Sequence, residues 1–191
     1  MSKSYFQWSM DRCALIDSLE EAGGIAKRSV TVLTSGGFDP IHPGHISYLQ
    51  QSIWKAKKFH RDVHGCSIDP TLIVLVNSDA FLEKKKGRAF MPIMARCQIV
   101  SAVLPYKDYG CVVVPFVPTD PEDMTVCEAI QAIKPNYFCK GGDRDLSNIP
   151  EVDVCNKVGT TIITGCGDEK YWSSSDFIKE HNEFLYTQMG L

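Results

Sequence analysis

Two hydrophobic patterns alternate along this chain. Short apolar, β-branched runs at 30–34, 71–77, 111–114, 137–139 and 160–164 have the character of strands buried on both faces, Thr71-Leu72-Ile73-Val74-Leu75-Val76-Asn77 being the clearest. Between them, apolar residues recur at helical spacing: 44–58, with Ile46, Leu49, Ile53 and Trp54 toward a sheet, then 93–104, 123–133, and a last segment from Ser174 toward the C-terminus. Ahead of the first strand, residues 11–21 place Cys13, Leu15, Ile16 and Leu19 on one helical face, with Gly23-Gly24 as the expected stop. The polar stretch 59–70 reads as a connection. This order predicts an α/β, Rossmann-like, doubly wound parallel sheet in a single domain over 29–191, preceded by a helical extension over 1–28.

In such a sheet ligands collect at the carboxyl ends of the strands. The run Gly36-Gly37-Phe38-Asp39-Pro40-Ile41-His42-Pro43-Gly44-His45 stands there, between the first strand and the first helix. A helix N-terminus carries free N–H groups and a partial positive charge, and glycines let backbone approach an oxyanion closely. His42 and His45, three apart, project from the first turn toward one point, and each can donate a hydrogen bond to a phosphoryl group without ionising. A zinc reading of the same histidines lacks the i, i+4 spacing and the glutamate of a helical metallohydrolase.

Further candidates follow other strands. Asp79 lies in Asn77-Ser78-Asp79; Lys86, Gly87 and Arg88, with Arg96 beyond, suit a loop folding over a polyphosphate. Lys140-Gly141-Gly142-Asp143 offers a close backbone approach and a carboxylate for hydroxyls. Ser173, Ser174 and Ser175 stand at a helix start, where capping and phosphate binding use the same geometry. Neither a P-loop nor a Gly-x-Gly-x-x-Gly dinucleotide fingerprint is present.

Composition narrows the partners. The chain has 191 residues, 44% hydrophobic and 23% charged, with net charge −3, which suits one globular domain and offers no global basic field for nucleic acid. Basic clusters are short: Lys84-Lys85-Lys86, and Lys55, Lys57 and Lys58. Eight cysteines without a Cys-x-x-Cys pair read as reduced thiols of a cytoplasmic protein. His60 and His64 near Cys66 imitate a metal site without further ligands, and no metal-binding residues are assigned. No apolar stretch is long enough for a membrane span, and no signal peptide is evident.

Together these residues resemble the cytidylyltransferase-like branch of the nucleotidyltransferase superfamily, whose signature is Gly-x-Phe-Asp-x-x-His-x-Gly-His after the first strand. The likeness is greatest to the heptose-1-phosphate adenylyltransferase domain of ADP-heptose synthase, to which Lys140-Gly141-Gly142-Asp143 points; glycerol-3-phosphate cytidylyltransferase is more distant. The resemblance implies transfer of AMP or CMP from an NTP, with Mg²⁺, to a phosphorylated sugar or alditol, releasing pyrophosphate. It implies that His42 and His45 contact the triphosphate, that Lys58 or a neighbour, Lys86, Arg88 and Arg96 meet phosphate charge, and that Gly36, Gly37, Phe38, Gly44, Lys140, Gly141, Gly142 and the three serines bind nucleotide. Asp39, Asp79, Asp143 and Arg144 fall by the substrate, with Asp39 also organising the nucleotide site. A homodimer is the expected assembly. Departures from the family pattern are Tyr171-Trp172 before the serines, Arg144 in place of an aromatic residue, and the long 59–70 connection. The alternatives are adenylylation of a cofactor precursor of the pantetheine-phosphate or FMN type, and a nucleotide-binding regulatory module without turnover.

Overall fold

The computed structural model describes residues 14–104, 110–141, 146–168 and 173–189. Six strands, β1 (Ala14–Leu15), β2 (Thr31–Gly36), β3 (Thr71–Asn77), β4 (Cys111–Phe116), β5 (Tyr137–Gly141) and β6 (Thr161–Cys166), form one sheet in the order β1-β4-β3-β2-β5-β6. All paired strands run parallel. Among the described residues seven α-helices accompany them: α1 (Leu19–Ala26), α2 (Pro43–His64), α3 (Asp79–Lys86), α4 (Ile93–Val103), α5 (Cys127–Ile133), α6 (Val152–Val158) and α7 (Ser174–Met189).

Alternation along the central strands explains the layers. Leu72, Val74 and Val76 of β3 pack with Leu49, Ile53 and Ala56 of α2 and Cys97 and Val100 of α4. Ile73 and Leu75 point the other way, into a core with Ala22 of α1, Ala129, Ile130 and Ile133 of α5 and Cys155 of α6. A strand covered on both faces needs apolar side chains at every position, which is why this run shows no period of two. The chain moves outward from β2 through β3 to β4, then returns to β5 on the opposite side of β2. That reversal opens a crevice above the ends of β2 and β5.

The N-terminal segment differs from the expected helix over 11–21. Ala14 and Leu15 pair with Val112 and Val113 as an edge strand, and α1 starts at Leu19, where the Ser18 hydroxyl accepts the Glu21 N–H at 3.1 Å. The helix then runs through Gly23-Gly24. A Cβ on Gly23 would lie 3.1 Å from the Ala132 carbonyl oxygen, so this glycine admits a close approach to α5 and ends nothing.

The first helix also outruns its expected end at Lys58. It continues to His64 and stops at Gly65, whose left-handed φ of 70° returns its N–H to the Arg61 carbonyl. Half of the supposed connection is therefore helix, fixed by His60 Nδ1 against the Tyr137 hydroxyl at 2.7 Å and by Phe59 edge-on to the Tyr137 ring. Helix α3, absent from the sequence reading, is marked by its Ser78 cap on the Phe81 N–H and its left-handed Gly87. Helix α6, also unread, stops at left-handed Gly159. Among the described residues no helix is long and apolar enough to cross a membrane.

Candidate active site

A cleft of about 870 Å³ lies over the β2–β5 crevice, lined by Gly36, Gly37, Phe38, His42, Gly44, His45, Lys86, Lys140, Gly141 and the three serines Ser173–Ser175. Most of the motif residues thus converge although they come from four different parts of the chain.

Packing shapes the first loop. Phe38 takes a left-handed backbone, φ 52°, and buries its ring beneath the cleft floor. A Cβ on Gly36 would meet that ring at 2.9 Å, and one on Gly37 would meet Leu82 Cδ2 at 2.7 Å. A side chain at either position would force Phe38 or Leu82 to shift, and with glycine the cleft presents bare backbone.

His42 is the N-cap of α2 and Pro43 its first helical residue, a favoured place for proline. The turn brings the His42 and His45 rings into a stack, centroids 3.7 Å apart and planes 26° from parallel. Phe38 meets the His45 ring edge-on at 5.2 Å. Burial lowers the His45 ionisation to about 3, with His42 and Lys86 adding to the effect; burial and then Lys86 lower that of His42. Both imidazoles are neutral at physiological pH. Their Nδ1 atoms are buried and without hydrogen-bond partners, and a neutral imidazole keeps one N–H to donate to a ligand.

Lys86 donates to the Asp39 carbonyl at 3.3 Å, and its own ionisation is lowered chiefly by burial. Arg88 lies in an adjoining hollow of about 340 Å³, together with Lys86, Ser175, Lys179 and Glu183. Ser174 is tied to the Pro40 carbonyl at 2.9 Å, which docks the start of α7 against the histidine loop, while the Ser173 hydroxyl accepts the Asp176 N–H.

Three expected ligand residues are engaged in internal hydrogen bonds in this structure. Arg96 is fully buried, and its guanidinium donates to the carbonyls of Met91, Gly37 and Asn77 and pairs with the Asp79 carboxylate. Neither Arg96 nor Asp79 lines the cleft, because each is held by the other. The buried Asp39 carboxylate accepts the Phe90 N–H at 2.6 Å and the Met91 N–H at 2.9 Å, so it positions a loop rather than facing a ligand. Lys58 is exposed, its ammonium 5.5 Å from the Trp54 ring, away from the cleft; its neighbour Lys55 instead reaches the Thr164 and Gly165 carbonyls at the end of β6. Gly142, Asp143 and Arg144 lie outside the described residues, as do Tyr171 and Trp172.

Other lining residues carried no sequence signal. Glu151, buried beside Lys140 at 3.1 Å, follows a turn that only the tertiary fold brings back to the cleft. Gly165 and Gly167 have positive φ, and their spacing around Cys166 was the one available hint of a turn after β6. His60 sits between Tyr137 and Cys66, outside the cleft. Among the described residues no group of three or more His, Cys, Asp or Glu side chains is placed to hold a metal ion, and the seven described cysteines are free thiols.

This chain is similar to several known proteins. It is 29% identical over 155 residues to "Bifunctional protein HldE" of Halorhodospira halophila, covering 80% of this chain and 28% of that protein. It is 30% identical over 131 residues to "D-beta-D-heptose 1-phosphate adenylyltransferase" of Bordetella bronchiseptica, covering 67% of each. The chain therefore spans about a quarter of the length of the bifunctional relatives it matches. Among solved structures, a lipopolysaccharide core biosynthesis protein from Thermoplasma volcanium shares the fold, with TM-score 0.50 and 20% identity, over 74% of this chain and 99% of that one. The cytidylyltransferase-like family profile matches residues 33–178, from the third residue of β2 to the second turn of α7. With that match spanning most of the sheet and the whole histidine loop, the chain belongs to the cytidylyltransferase-like family of nucleotidyltransferases.

Proposed function

We propose that the protein transfers a nucleoside monophosphate, AMP or CMP, from an NTP to a phosphorylated sugar or alditol and releases pyrophosphate. The observation that carries this reading is the stacked, neutral pair His42 and His45 at the base of a cleft that also presents Lys86, Lys140 and the start of α7. The names of the relatives support adenylyl transfer to a sugar 1-phosphate as the first combination to test.

In this mechanism an acceptor phosphate oxygen attacks the α-phosphorus, forming a P–O bond as the bond to the β-phosphate oxygen breaks. Pyrophosphate leaves with the electron pair of that bond. The attacking phosphate is already anionic, so the site needs alignment and charge stabilisation more than a strong base. Neutral imidazole N–H groups suit the crowded α-phosphoryl oxygens, and their neutrality avoids placing two cations in one stack. Lys86 and Arg88 balance the charge of the β- and γ-phosphates, aided by the Ser173–Ser175 helix start. Mg²⁺ enters as part of the nucleotide substrate.

Pyrophosphate release from each of the four NTPs, measured against sugar 1-phosphates and glycerol 3-phosphate, tests the reading. Turnover with one such pair supports it. Nucleotide binding without turnover on any phosphorylated acceptor would overturn it.

A further inference from the structure

The lining of the cleft comes from both sides of β2. Gly165, Cys166, Gly167 and Asp168 lie at and after the end of β6, and Phe81, Lys85, Met124 and Val126 follow β3 and β4 on the other side. Lys140, within β5, and Glu151, the residue before α6, line it as well.

Glu151 is 2% exposed. Its Oε1 receives Lys140 Nζ at 3.1 Å and the Val126 N–H at 3.4 Å, and the Lys140 ammonium also lies 4.7 Å from the Phe138 ring centre. Its Oε2 is buried and has no hydrogen-bond partner. Buried carboxylate oxygens are ordinarily satisfied, and the cost of leaving one bare is removed by any ligand that brings a donor. A phosphate oxygen brings none and is repelled; a hydroxyl brings one. Lys140 neutralises the carboxylate, so the pair as a whole does not drive an anionic substrate away.

We infer that Glu151, oriented by Lys140 and the Val126 amide, recognises a hydroxyl of the phosphorylated acceptor through Oε2 and thereby selects acceptors of sugar or polyol type. The acceptor is favoured over the triphosphate because Glu151 stands outside the hollow where Lys86, Arg88 and Ser175 gather, tied instead to the segment after β4 through the Val126 N–H. This inference rests on the nucleotidyl-transfer reading and assigns part of its acceptor subsite.

The test is Glu151→Gln, which keeps an oxygen for Lys140 and the Val126 amide. Glucose 1-phosphate, mannose 1-phosphate and glycerol 3-phosphate are titrated calorimetrically against the wild type, and the tightest is carried forward with its monodeoxy analogues. The substitution exchanges the charged acceptor Oε2 for an amide NH2, which cannot accept the hydroxyl proton, and so raises the acceptor Kd and KM about tenfold or more. The NTP KM stays within about twofold, and one deoxy analogue loses affinity for the wild type with no further loss on Glu151→Gln. Should that variant fail to fold, Glu151→Asp, which withdraws the carboxylate by one methylene, serves the same comparison. Unchanged acceptor affinity, or a loss confined to the NTP KM, overturns the inference while wild-type pyrophosphate release leaves nucleotidyl transfer standing. No binding and no turnover of any sugar or polyol phosphate by the wild type removes both.

Discussion

Asp39 and Arg96 grip opposite poles of one residue: the Asp39 carboxylate takes the Met91 N–H at 2.9 Å, and Arg96 Nε donates to the Met91 carbonyl at 2.8 Å. Arg96 also donates to the Gly37 and Asn77 carbonyls, at 2.7 and 2.8 Å. One guanidinium thus staples the ends of β2 and β3 to the loop that carries Arg88. Truncation as Arg96→Ala leaves Asp79 and three carbonyls without their donor and should cost about 3–5 kcal/mol. Arg96→Lys should recover only part of that, because an ammonium cannot span the fork. Urea denaturation gives the size of each effect. Asp39→Asn should speed hydrogen exchange at the Phe90 and Met91 amides with a smaller loss, about 1–3 kcal/mol.

The histidine pair is expected to act on the chemical step. His42→Ala and His45→Ala should each lower kcat by about 10²–10³, the loss typical of removing one donor to a developing oxyanion. Steady-state pyrophosphate release reads this directly. A double variant that loses no more than either single one would show that the stacked rings act as a unit.

The lysines separate by position. Lys86, which lines the cleft, should on replacement by Met raise the NTP KM and lower kcat/KM by about tenfold or more, since this removes a cation from the phosphate side. Lys58→Met should leave both constants within about twofold, because Lys58 is exposed and sits over Trp54. Paired kinetics on the two variants decide between a phosphate-binding role for α2's C-terminal half and a solvated helix face.

Acid should weaken the fold through His45. Its ionisation is lowered to about 3 in the folded protein, against 6.5 in the unfolded chain, so between those values the unfolded state binds a proton the native state refuses. Stability from this residue is complete above about pH 6.5 and is lost as pH falls toward 3. Between pH 7 and pH 5 the wild type should lose about 1–2 kcal/mol more than His45→Gln, measured by urea denaturation at each pH. For the same reason kcat/KM should show no histidine inflection near 6.5.

The sequence determined the parallel α/β layering, because strands covered on both faces are continuously apolar, and the short β-branched run 71–77 has that character. It also determined the histidine loop, since Gly36 through His45 form a local unit whose strand-to-helix geometry is set by neighbours in the chain. Helix ends were less legible. Residues 59–64 are mostly polar, yet they stay helical with Phe59 and His60 meeting Tyr137, seventy-odd positions away, and Gly23 is a contact with α5 that no local pattern distinguishes from a stop. Only the tertiary structure decided which charges face the ligand. Asp39, Asp79 and Arg96 have the residue types of a binding site, but the fold places their partners within reach and uses their hydrogen bonds internally. Glu151 belongs to the cleft for the converse reason: a turn after β5 returns it to Lys140 with one oxygen left to satisfy.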